Sequence, residues 1–120
     1  EIGSGLGLPG LAIQTLCSPA FVTLTDRDSE VLDIAAASIK TNGYEETMRT
    51  QRLDWQDATS WPKSEYNRII ATDILFNGLD HDALIRLLVH LLQDIDSEGK
   101  ETKSAMIFYT ESGYTQSEVP

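Results

Sequence analysis

The chain has 120 residues, 41 % of them apolar, and sets nineteen acidic against nine basic side chains, a formal net charge of −10. That length suits a single domain over residues 1–120, and the apolar fraction excludes a disordered chain. The acidic balance excludes a dedicated nucleic-acid groove, which needs clustered Lys and Arg; a small cofactor or a basic protein partner suits it better.

No run approaches the ~20 apolar residues of a membrane span. Cys17 is the only cysteine, so an internal disulfide and a cysteine-rich zinc site are both excluded. Its neighbours Ile13, Leu16 and Ala20 predict a buried, unreactive thiol. A reducing, cytoplasmic location is expected, with a nuclear one also open.

In chain order, the first ten residues, EIGSGLGLPG, hold four glycines and read as a turn. Leu8 to Cys17 follows as a short helix with Leu8, Leu11, Ala12 and Leu16 at helical spacing and Pro9 in its first turn. Phe21 to Thr25, ending in Asp26, reads as a strand. Asp28 or Ser29 caps a helix whose inner stripe is Val31, Leu32, Ala35, Ala36 and Ile39, and Asn42-Gly43 ends it. Met48 to Leu53 is a second strand, closing at Asp54-Trp55. Tyr66 to Asp73, centred on Ile69-Ile70-Ala71, is a third. Asp80 or Asp82 opens the clearest helix, with Leu84, Leu87, Leu88, Leu91, Leu92 and Ile95 on one face and Arg86, His90, Gln93 and Asp94 on the other. Ser104 to Tyr109 is the last strand. Strands alternating with helices predict an α/β fold: a Rossmann-like, doubly wound, mostly parallel sheet covered on both faces.

The glycines read in two registers. Gly5, Gly7 and Gly10 spell G-x-G-x-x-G, a dinucleotide fingerprint; Glu1, Gly3, Gly5 and Gly7 spell E-x-G-x-G-x-G. A glycine turn before a helix lets backbone N–H groups approach a ligand and aims the positive helix end at the same spot. Asp26, at the end of the next strand, is placed to accept from both ribose hydroxyls. Together they point to an adenosine-containing cofactor. Glu1 favours the second register, because a carboxylate there repels a pyrophosphate but helps orient a cationic amino-acid group. In that register Gly10 is a packing glycine beneath the helix.

EIGSGLGLPGLA, VTLTDRD, RLDW and IIATDILF, in that order and spacing, resemble the seven-β-strand (class I) S-adenosylmethionine-dependent methyltransferases, and within them the branch of protein-lysine methyltransferases with a D-x-x-Y/F motif. The resemblance implies S-adenosylmethionine as cofactor and a lysine of a protein as acceptor. It implies that Gly3, Ser4 and Gly5 pass under the methionine and ribose, with Glu1 and Gly7 completing the loop. Asp26 holds the ribose hydroxyls, Asp54 and Trp55 border the adenine, with the acid accepting from its exocyclic amine, and Thr72 lines the floor. Asp73 and Phe76 face the methyl group and the incoming amine. Phe76 stands where the family usually has Tyr and offers a π face to a cation.

Plainer readings stand beside these. Asp26 and Asp73 also suit caps of the turns that follow them, and Trp55, Trp61 and Phe76 suit packing roles. His81 and His90 lack metal-ligand spacing, and His90 falls on the solvated helix face. Other functions in view are a nicotinamide-like amine N-methyltransferase, a non-catalytic cofactor-binding or interaction module, and, through the first register, a nicotinamide-dependent reductase. Since only Glu1-Ile2 precede the loop and no closing hairpin follows the last strand, the sequence is expected to be a piece of a larger domain, truncated at both ends.

Overall fold

The structure, a computed structural model, describes residues 1–63, 66–75, 78, 80–93 and 103–109. Its elements run α1 (Leu8–Cys17), β1 (Val22–Asp26), α2 (Ser29–Thr41), β2 (Met48–Arg52), a 3₁₀ turn (Ala58–Ser60), β3 (Arg68–Thr72), α3 (His81–Leu92) and β4 (Ser104–Phe108). The predicted strands at 66–73 and 104–109 are therefore shorter at their ends, and Ile95 and Asp94 lie outside the described residues.

Among the described residues all strand pairing is parallel. β1 pairs with β2, Val22 opposite Met48 through Asp26 opposite Arg52. β3 pairs with β4, Arg68 opposite Ser104 through Thr72 opposite Phe108. Ile2 joins the pairs, bridging Thr25 on one side and Ala71 on the other. Its N–H donates to Ile70 O at 2.9 Å, while Thr25 N donates to Glu1 O and Ser4 N to Thr25 O at 2.9 and 2.8 Å. Beyond Ile2, a groove of about 660 Å³ runs between β1 and β3, bordered by Val22, Thr23, Ile69 and Ile70.

Two apolar clusters hold the layers. Leu24, Ala35, Ile39 and Met48 form one, with Leu11, Val22 and Tyr44 packed against it. Ile2, Leu53, Ile69, Ala71, Ile74, Leu84, Leu87 and Leu91 form the other. Side chains alternate between faces along a strand, so Leu24 turns toward α1 and α2 and its neighbours Thr23 and Thr25 turn away. Leu24 and Leu87 are completely buried, each contributing about 1.5–3 kcal/mol of apolar transfer.

Both long helices start on aspartate caps, as short side-chain acceptors favour. Asp28 accepts from Glu30 N and Asp80 from Ala83 N, both at 2.9 Å. On α2, Leu32, Ala35 and Ile39 are buried, whereas Ala36 is exposed.

α1 departs further from its pattern. Leu8 is 74 % exposed and Leu16 81 %, Ala12 is exposed too, and the buried positions are Gly10 and Gln14. The cause is Gly10: a β-carbon there would collide with the Leu24 side chain and come 2.7 Å from Glu1 Oε2. Close approach selects the side-chain-free face, overriding the leucine periodicity. Cys17, expected inside, is exposed at the last position of α1. His90, expected in solvent, is half-buried: its Nε2 lies 3.0 Å from Pro62 O and its ring 5.4 Å from that of Trp61. The segment carrying Trp61 folds over α3 and covers it.

Candidate active site

The glycine turn leaves the sheet at Ile2. Gly3 and Gly7 hold φ of 61° and 80°, a left-handed backbone that side chains disfavour. Gly7 N donates to Ser4 O at 2.8 Å, closing the turn, and Gly7 then becomes the N-cap of α1. Gly5 N donates to Asp26 Oδ2 at 3.0 Å. The other oxygen of Asp26 accepts from Asp28 N at 3.1 Å, so the carboxylate is held from both sides at the tip of β1.

Glu1 turns toward the helix. Its Oε2 accepts from Gly10 N at 2.9 Å, and Oε1 is buried with no partner among the described residues. Burial pushes its carboxyl above the ordinary range.

Beyond β2, the Asp54 backbone is fastened by the loop that follows. Its N–H donates to Ser60 Oγ at 2.9 Å, and its carbonyl accepts from Trp61 Nε1 at 3.1 Å. Trp61 is thus a packing residue whose indole N–H also anchors the site. Asp54 Oδ1 accepts from Gln56 N at 3.0 Å, and Oδ2 stands 3.8 Å from Arg52 Nη2.

Beyond β3, Asp73 has a φ of 53°, a left-handed conformation costing about 1–2 kcal/mol for ordinary residues and more tolerable for Asp. Its N–H donates to Phe108 O at 2.8 Å. Ile74 is buried in the core.

These pieces meet. A cleft of about 230 Å³ at the strand ends is lined by Gly3, Asp26, Asp54, Trp55, Asp73 and Asp80, among others. Glu1, Ser4, Gly5, Gly7 and Thr72 do not line it; the first four stand in the turn behind Gly3, and Thr72 is half-buried at the end of β3. Phe76 lies outside the described residues. Arg27, Gln56 and Asp80 also border the cleft and had no site role in the sequence reading. Gln56 directly follows the LDW motif, which was the available signal. Asp80 was legible only as a helix cap; the Ala83 N–H, then the Gln56 amide, hold its carboxyl below the ordinary range. The arrangement offers carboxylate acceptors, an aromatic edge and a glycine backbone to one ligand, with the Asp73 carboxylate in the same lining.

The family model described as "Lysine methyltransferase" matches residues 1–116. The chain belongs to that lysine methyltransferase family. It is 28 % identical to the mouse (Mus musculus) protein-lysine N-methyltransferase EEF2KMT, over 92 % of this chain and 36 % of that protein. It is 30 % identical to the zebrafish (Danio rerio) protein N-lysine methyltransferase METTL21A, over 76 % of this chain and 42 % of that one. With the Arabidopsis thaliana calmodulin-lysine N-methyltransferase the identity is 27 %, over 94 % and 37 %. The chain therefore spans well under half the length of these family relatives. Among solved structures, the [4+2]-cyclase SpnF superposes with a TM-score of 0.65 at 19 % identity, over 75 % of this chain and 32 % of that one. That likeness gives the fold: the predicted Rossmann-like α/β arrangement with parallel strands.

Proposed function

We propose that the chain is the cofactor-binding part of an S-adenosylmethionine-dependent protein-lysine N-methyltransferase. The observation that carries this reading is the meeting of Gly3, Asp26, Asp54, Trp55 and Asp73 in one cleft, within a chain of the lysine methyltransferase family. S-adenosylmethionine, when bound, supplies a sulfonium methyl open to in-line displacement.

Asp26 suits the ribose hydroxyls because each of its oxygens, though holding one backbone N–H, keeps lone-pair capacity. Asp54 accepts from the exocyclic amine of adenine, and Trp55 borders the ring. Gly3 carries the backbone beneath the ligand, Ser4, Gly5 and Gly7 hold the turn behind it, and Thr72 stands behind the cleft at the end of β3. Glu1 acts on the loop by holding Gly10 N at the start of α1. Asp73 holds the incoming amine, whose proton must leave before attack, and Phe76 walls the acceptor channel. Holding nucleophile and methyl about 3 Å apart supplies much of the rate. The lone, exposed Cys17 agrees with a reducing, cytoplasmic setting.

The test is to incubate the full chain with labelled S-adenosylmethionine and a cell lysate, then map the label by mass spectrometry. Label on protein lysines is expected. Label confined to small amines would replace the acceptor class, and S-adenosylhomocysteine binding with no label anywhere would make the chain a non-catalytic binding module.

A further inference from the structure

We infer that Gln56 and Asp80 form a positioning pair that aims the Asp54 carboxylate at the adenine edge of the cofactor. Neither residue is placed here in contact with the reacting groups; both act through Asp54. The inference rests on the cofactor reading given above.

Three hydrogen bonds carry it. Asp80 is fixed to α3, since Oδ1 accepts from Ala83 N at 2.9 Å and the helix behind it is packed through Leu84, Leu87 and Leu91. Its second oxygen accepts from Gln56 Nε2 at 3.2 Å, across 24 residues of sequence. Gln56 in turn donates its backbone N–H to Asp54 Oδ1 at 3.0 Å. That bond fixes the plane of the Asp54 carboxylate, whose oxygens keep lone-pair capacity for a ligand. Arg52 Nη2 at 3.8 Å is too far to compete as a hydrogen-bond donor.

Ser60 and Trp61 fix the backbone of Asp54 but leave its side chain to Gln56. A loop residue is thus oriented by a rigid helix, the arrangement that keeps a binding group within tolerance. All three side chains border the same cleft as Trp55. The hydrogen bond between Gln56 and Asp80 is exposed and adds little to stability, so its consequence falls on ligand selectivity.

The experiment compares S-adenosylhomocysteine with S-inosylhomocysteine, which carries an oxygen in place of the exocyclic amine, by calorimetry on the full chain. The unsubstituted protein is expected to prefer the adenosine ligand about tenfold or more, the loss expected when a site donor or acceptor is left unpaired. Gln56→Ala leaves the α3 cap and the backbone N–H to Asp54 in place and removes only the side-chain tether to Asp80 that fixes where that N–H stands. Asp80→Ser keeps a capping hydroxyl but is too short to reach Gln56. Each is expected to shrink the preference to about threefold or less, and the double variant to shrink it no further, as for residues acting in one chain. The thermal midpoint of Gln56→Ala should match that of the parent.

Retained preference in either variant, equal weakening of both ligands, or independent effects in the double variant would each overturn the inference. A parent that binds both ligands equally overturns it while the cofactor reading stands. A parent that binds neither removes both.

Discussion

Ile74 presses against Gly3: its Cγ2 lies 2.9 Å from the point where a β-carbon on Gly3 would stand. The glycine turn and the segment after β3 are therefore in van der Waals contact, and the glycine is required both by its left-handed φ and by its neighbour.

Gly3→Ala accordingly forces Ile74 out of the core or bends the turn. Overpacking of this kind costs about 1–3 kcal/mol, to which the left-handed backbone adds about 1 kcal/mol. Chemical denaturation should show that loss, together with weaker S-adenosylhomocysteine binding. Ile74→Ala, which removes the clashing Cγ2, should make the double variant lose less than the two single losses added together.

Asp26→Ala removes the carboxylate held by Gly5 and Asp28. Because hydrogen bonds to charged groups contribute about 1.5–3 kcal/mol, affinity for S-adenosylhomocysteine should fall about tenfold to a hundredfold. Asp26→Asn keeps the shape and should fall less. Calorimetry on the two variants separates a cofactor acid from a residue that only caps the turn, for which both would bind as the parent does.

Asp73 is tested by an acceptor-specific loss. Asp73→Asn keeps a residue that tolerates the left-handed backbone, so folding and S-adenosylhomocysteine affinity should stay near the parent's. The rate of methyl transfer should drop by about a hundredfold, the lower range for a residue that handles the reacting proton or its carrier. Steady-state kinetics with both substrates varied checks this; an unchanged kcat removes Asp73 from the mechanism.

A pH dependence follows from Asp80. Its folded carboxyl titrates below the ordinary value of 3.8, first through the Ala83 N–H and then through Gln56. A depressed acid stabilises the fold above its unfolded pKa, and that contribution fades as pH falls through the folded value. Thermal midpoints of the parent and Asp80→Ala should therefore differ above about pH 4 and converge as the pH drops below the folded value.

Much of the site was legible because its signals are local. The glycine spacing, Asp26 at a strand end and the LDW and DILF stretches each depend on a few adjacent residues. The helices and strands followed from periodicity and caps for the same reason, and both Asp28 and Asp80 stand where a cap was expected. What escaped depends on partners distant in sequence. Gly10 was expected to pack beneath α1 and does, but leucine spacing could not register that its contact with Leu24 would turn Leu8 and Leu16 outward. Nor could it show Trp61 covering His90, or Gln56 meeting Asp80. Glu1 was legible as an acid before the glycines, but its hydrogen bond to Gly10 N is a matter of how the turn closes.

Ile2 also sets a length. It occupies one strand position between β1 and β3, so Asp26 and Asp73 rise from strands two spacings apart, about 10 Å at the usual inter-strand distance of about 4.8 Å. Backbone hydrogen bonds define that span, and side-chain substitution scarcely alters it. In the proposed reading, ribose end and acceptor end are held apart by a ruler made of peptide groups. Variation in the helices can change how firmly the two halves are clamped, while the span between the two carboxylates stays the same.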